Sequence, residues 1–211
     1  MKYLKMLGLA ALAAMALTAF LGAGSASATV LCKTSLTEGC AAANWDYSSG
    51  TTIDATIDES VNLSAGFAQI TCTQGTVHGF TSNTGSSTTT VTGNATATFV
   101  LSSCTPECTK IEVTEGSLEI HHIAGTDNGT LTASGFTAVL TCSGITCKYI
   151  TGNNLDMGTL TGSTASRPNA TMDIDANLTK EEGSSFLCNG SATWKGSYWI
   201  TSPTPLYIST S

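Results

Sequence analysis

With 15 acidic against 8 basic residues in 211 and a formal net charge of −7, the chain is a poor partner for nucleic acid or for an anionic membrane surface. Charged residues make up only 11%, apolar residues reach 41%, and Ser and Thr together number 61, which excludes the charge-rich, apolar-poor profile of a disordered chain. Threonine-rich polar faces point instead to strands whose wet side carries hydroxyls rather than ions.

Residues 1–28 read as a secretory signal peptide. Lys2 and Lys5 form the basic region, Leu7 to Leu21 the apolar run, and Ala26-Ser27-Ala28 an A-x-A cleavage site. The apolar run is too short for a permanent anchor. A lipid-bearing cysteine normally follows a small residue, but Leu31 precedes Cys32. Cleavage leaves a mature chain from Thr29 with six cations against 15 carboxylates, a net charge of −9. The expected location is extracellular or in the cell envelope, with no membrane insertion after cleavage.

All eight cysteines lie beyond the signal: Cys32, Cys40, Cys72, Cys104, Cys108, Cys142, Cys147 and Cys188. An even number in an exported chain implies four disulfides. The spacings lack the paired C-x2-C rhythm of a zinc site, so no metal and no cofactor is expected.

Residues 29–50 read as an irregular N-terminal segment. Cys32 and Cys40 bracket a polar loop and are expected to close it, and Trp45 and Tyr47 form a plug over one end of the core. Thr51 to Asp58 alternates, Val61 and Leu63 start a second short strand, and Gly66 ends it. Ala68, Ile70 and Cys72 share one face of the next strand. Gln74-Gly75 is a turn signal, and Thr76 to Thr81 returns.

Thr88 to Leu101 then alternates without a slip, with Gly93, Ala95, Ala97, Phe99 and Leu101 on the dry face. Past Cys104, strands are expected at Ile111 to Val113, Leu118 to His122, Thr130 to Ala133 and Phe136 to Cys142, separated by Glu115-Gly116 and the Asp127-Asn128-Gly129 hairpin signal. Tyr149 to Leu160 holds two short strands around Gly152-Asn153-Asn154. Met172, Ile174, Ala176 and Leu178 face inward opposite Asp173, Asp175, Asn177 and Thr179. Lys180 to Ser185 is a charged, glycine-bearing turn. Ala192 to Ile200 is the most aromatic strand, and Pro203 and Pro205 restrict the last segment to an edge.

No window of helical periodicity follows the signal. Short strands at regular spacing predict an all-β fold, an antiparallel disulfide-stapled β-sandwich over residues 51–208.

An internal echo divides that domain into halves, 51–125 and 126–208. Gly66-Phe67 with Ile70-Thr71-Cys72 recurs as Gly135-Phe136 with Leu140-Thr141-Cys142, and each half runs on through an alternating strand to a cysteine, Cys104 and Cys188. If the halves correspond, Cys72 pairs with Cys104, Cys188 pairs with Cys142 or Cys147, and Cys108 takes the other. Local closure is the alternative: Cys104 with Cys108, Cys142 with Cys147, and Cys72 with Cys188.

Candidate chemistry is sparse. His121 and His122 fall on opposite faces of one strand and cannot share a metal, while Glu119 and His121 share a polar face. No nucleophile elbow, zincin helix, phosphate-binding glycine loop or S-x-x-K motif is present. Asp54, Asp58, Glu59, Glu112, Glu119, Asp173 and Asp175 are available as dispersed carboxylates of a hydrolase. In the aromatic strand, Trp194, Gly196, Tyr198 and Ile200 share one face, which leaves Trp199 on the other. Trp199 and Trp45 are therefore the candidate ligand-binding residues, as sugar-stacking aromatics.

The Ala-Thr-Val-Leu-Cys junction (Ala28 to Cys32), the Leu-Glu-Ile-His stretch (Leu118 to His121) and the Thr-Ser-Pro-Thr-Pro-Leu-Tyr end (Thr201 to Tyr207) resemble a group of secreted, cysteine-containing all-β proteins of actinobacteria. The shared motifs are structural, and the resemblance implies no activity or site residue. The functional expectation is a secreted, non-catalytic interaction or structural module. Its partner would be an extracellular or cell-wall polysaccharide or a protein. A carbohydrate-binding module and a hydrolase are the alternatives.

Overall fold

Alternation along the chain becomes hydrogen-bonded strand nearly everywhere. The computed structural model describes residues 29–35, 46–66, 68–85, 91–106, 108, 110–114 and 116–210; the signal segment, Cys40 and Trp45 lie outside them. Thirteen strands occur among the described residues: β1 (Val30–Cys32), β2 (Thr52–Ser64), β3 (Gln69–Thr81), β4 (Val91–Thr105), β5 (Lys110–Val113), β6 (Ser117–His122), β7 (Gly129–Ser134), β8 (Thr137–Cys142), β9 (Ile145–Ile150), β10 (Leu155–Thr161), β11 (Thr171–Lys180), β12 (Ser191–Ser202) and β13 (Tyr207–Ser209).

β5 and β6 are two pieces of one broken strand, as are β7 with β8 and β9 with β10. With each pair taken as one, eight strands follow chain order around a ring. Each is antiparallel to the next, and β12 pairs back onto β2. The expected two-layer sandwich is therefore corrected to a closed up-and-down barrel. The reason is strand length. β4 spans 15 residues and β11 spans 10, enough for β4 to pair with both β6 and β5 and for β11 to pair with both β10 and β9. The edges that a sandwich would leave open are thereby joined. The proposed boundary between the halves falls between β6 and β7, which pair from Ser117↔Ser134 to His122↔Gly129.

Two local features differ from the sequence reading for physical reasons. Residues 52–64 form one strand, not two, and its register shifts between Thr56 and Val61. Strict alternation from Ala55 would turn Glu59 into the core together with Val61 and Leu63; the bulge leaves Glu59 exposed while Val61 and Leu63 stay inside. Gln74-Gly75 is not a turn but the middle of β3. A Cβ at Gly75 would sit 2.5 Å from the Val100 carbonyl oxygen, so the glycine permits close approach of two strands.

The three broken strands break at the same level, at residues 114–116, 135–136 and 151–154. Backbone bonds from Thr114 to Thr137, Gly135 to Gly152 and Thr151 to Phe136 carry the pairing across this crease. Phe136, 2% exposed, fills it from inside, its ring where a side chain at Gly116 would have to go.

The two ends of the barrel are built differently. At one, three disulfides join Cys72 to Cys104, Cys108 to Cys142, and Cys147 to Cys188. This is one of the two pairings that the internal echo allows, with Cys188 taking Cys147 and Cys108 taking Cys142, and not local closure. Cys32 is also disulfide-bonded. Its expected partner, Cys40, is outside the described residues. The other end is capped by a ribbon of β1 and β13. The ribbon is sewn to the rim through His122 N–H to Thr29 Oγ1 (2.9 Å), Ile208 N–H to the Asp127 carbonyl (3.2 Å) and Ser163 N–H to the Leu206 carbonyl (2.8 Å). Tyr47 adds a hydroxyl bond to the Pro205 carbonyl at 2.7 Å.

Candidate functional site

Inward positions of β11 and β12 alternate regularly, and among the described residues the barrel interior is lined mostly by apolar side chains. Near the disulfides it is filled by aromatics. Phe99 meets Trp194, Phe136 and Tyr198 edge-on, with centroids 4.8, 5.6 and 6.0 Å away. Tyr198 Oη and Trp194 Nε1 are buried there without a hydrogen-bond partner among the described residues. Desolvation pushes the Tyr198 phenol well above its ordinary range, and the nearby Trp194 indole offsets only part of that. Burial also raises Tyr149 and Tyr47.

Beneath the cap the filling is mainly aliphatic, with Phe80 on one side, and incomplete. A cavity of about 60 Å³ lies among Ala55, Val77, Leu160, Met172 and Ile200, roofed by Leu31 and Leu206. Thr81, the one hydroxyl on its wall, is engaged with the Ser48 carbonyl at 2.9 Å. Among the described residues no titratable group lines the cavity. It is well below the roughly 150 Å³ at which a buried apolar cavity takes up a benzene ring.

The polar candidates sit on the outside. His78 Nδ1 lies 2.6 Å from Asp54 Oδ1, both substantially exposed. His121 lies 3.7 Å from Glu119 and 3.2 Å from the Thr132 hydroxyl. His122 points inward and its Nε2 meets the Thr126 carbonyl at 2.6 Å. Asp173 is exposed, and Asp175 pairs with Lys195 at 2.9 Å. No group of three or more His, Cys, Asp or Glu positioned for a metal occurs among the described residues. No helix among them is long and apolar enough to cross a membrane.

Trp199 lies on the outer face of β12, half-buried, opposite Thr171 of β11 and Thr56 of β2. Thr171 is 6% exposed, and its hydroxyl has no hydrogen-bond partner among the described residues. Trp45, the second aromatic candidate, is outside the described residues.

The sequence reading passed over the loop between β11 and β12. Phe186 at its tip is 89% exposed and Leu187 is 49% exposed. The loop is nevertheless firmly held. Cys188 is bridged to Cys147 of β9, Glu181 N–H donates to the Lys148 carbonyl (2.9 Å), and Ser184 Oγ accepts from Lys148 N–H (3.0 Å). Lys180 Nζ donates to the carbonyls of Cys188 (3.1 Å) and Ser185 (3.4 Å). The signal was in the sequence: Phe186-Leu187 is an adjacent apolar pair beside a cysteine, in a turn where alternation has stopped and no core face requires it.

No protein-family model matches the chain, and neither a curated protein nor a solved structure is significantly similar to it.

Proposed function

We propose that the mature chain acts outside the cytoplasm as a non-catalytic interaction module that works through its outer surface. One observation carries this reading: among the described residues the barrel interior is packed with aromatics at one end and, at the other, holds a small cavity lined almost entirely by apolar side chains, which favours neither a reaction chamber nor a container of useful size. Three disulfides accord with an oxidising compartment. The test is saturable binding of labelled mature chain to envelope or secretome fractions, with Glu119→Gln and Asp173→Asn binding as well as the parent. Hydrolytic turnover abolished by either substitution would overturn the reading.

A second reading has its own observation. Trp199, flanked by two threonines of which one has a buried, unpartnered hydroxyl, offers a stacking face for a sugar ring. Tryptophan fluorescence against a glycan panel decides it: a saturable shift lost in Trp199→Ala supports it, and no shift with any glycan removes it.

A further inference from the structure

We propose that the Phe186-Leu187 tip is a docking knob for a folded partner protein whose surface offers an apolar socket bordered by positive charge. This deepens the interaction-module reading and rests on it.

Single exposed apolar residues are ordinary on a protein surface. Val100, 53% exposed, and Ile123, 38% exposed, are of that kind. The Phe186 loop differs in three respects. Two large apolar side chains are adjacent, and the aromatic is 89% exposed, so it contributes little to its own fold. The loop carrying it is fixed by a disulfide, by hydrogen bonds to β9 including Ser185 N–H to the Thr146 carbonyl (3.3 Å), and by a bond within the loop from Cys188 N–H to the Ser185 carbonyl (3.0 Å). A knob already held in place loses little conformational freedom on docking, the general advantage of preorganised binding groups. Finally, an aromatic anchor seated in a pocket is the usual centre of an interface, ringed by polar contacts that exclude water.

The charge of the chain as a whole specifies the partner. Glu181 and Glu182 belong to the same loop, and the Lys180 ammonium is taken up by the loop's own carbonyls. Lys148, on the strand beneath, is the exposed cation nearby. These charges balance, Glu181 and Glu182 against Lys180 and Lys148, so it is the mature chain's net charge of −9 that favours a basic rim and repels an anionic bilayer.

The experiment places a photoreactive benzophenone amino acid at position 186 of the full mature chain and irradiates it in the native extracellular fraction. The expected result is a cross-link to one protein, mapped to an apolar pocket bordered by Lys or Arg and competed by unlabelled parent chain. With that protein purified, Phe186→Ala should lower affinity at least ten-fold at an unchanged urea midpoint, Phe186→Tyr should recover most of it, and Glu182→Lys should slow association. Cross-links confined to phosphatidylglycerol vesicles or to a second copy of the chain would overturn the proposal, as would cross-links scattered without a common site. Binding retained by Phe186→Ala but lost in Trp199→Ala would overturn the knob and leave the module reading standing; absence of any saturable partner would overturn both.

Discussion

The two ends of this barrel solve the same packing problem with different materials. At the stapled end, four large aromatics interlock edge to face, one disulfide ties neighbouring strands and two tie a strand to a loop. At the capped end the same number of strands surrounds mainly Ala, Val, Leu, Met and Ile, with Phe80 beside them, leaves about 60 Å³ unfilled, and relies on a short ribbon laid across the opening. Rigid aromatics have few rotamers and fill space in one way, whereas Met172 and its aliphatic neighbours adapt and leave voids. The exposed knob is mounted on the stapled end, where the scaffold beneath it is least able to yield.

The largest expected effect tests the staples. Replacing Cys147 and Cys188 together by alanine opens a loop of sequence separation 41, and should cost roughly 3–4 kcal/mol in urea denaturation. Hydrogen exchange should quicken in residues 181–190 before it does under the cap. A loss below about 1 kcal/mol would mean that aromatic packing alone holds that end.

A matched pair of insertions sharpens the contrast. Ala55 lines the cavity, while Ala176 sits opposite Trp194 in the filled half. Ala176→Leu should overpack and destabilise by about 1–3 kcal/mol, while Ala55→Leu should change stability by less than about 1 kcal/mol because space awaits it. Equal costs at the two sites would remove the distinction between a filled and an underfilled end.

The smallest effect concerns the phenol of Tyr198. Its hydroxyl is buried without a partner among the described residues, so Tyr198→Phe should be neutral or stabilising by up to about 1 kcal/mol. The sign with pH follows from the raised phenol. The folded state keeps its proton to higher pH than the unfolded chain does, so this contribution is fully present below pH 10 and is lost as pH rises above that value. Alkaline unfolding curves of the parent and of Tyr198→Phe should diverge there, with the parent losing stability faster; parallel curves would show that Tyr198 does not govern the alkaline limb.

Strand positions and facing were legible in the sequence because one wet and one dry face leave a period of two. Trp194 inside and Trp199 outside followed from parity alone. Closure was not legible, because it depends on where β4 and β11 exchange partners along their length, and those pairings are far apart in the chain. Phe186 escaped because the search for core faces assigns aromatics inward by default, and only the accessible surface reveals one that no strand buries.

The crease through β5–β6, β7–β8 and β9–β10 has a consequence for how such a molecule can vary. Each of those three staves is registered twice, once on either side of its break, so a length change at residues 114–116, 135–136 or 151–154 need not slide the pairing at either end. The two ends are therefore separable units of variation: a new loop around Phe186, or a roomier chamber under the cap, can be installed at one pole of the barrel while the other keeps its register.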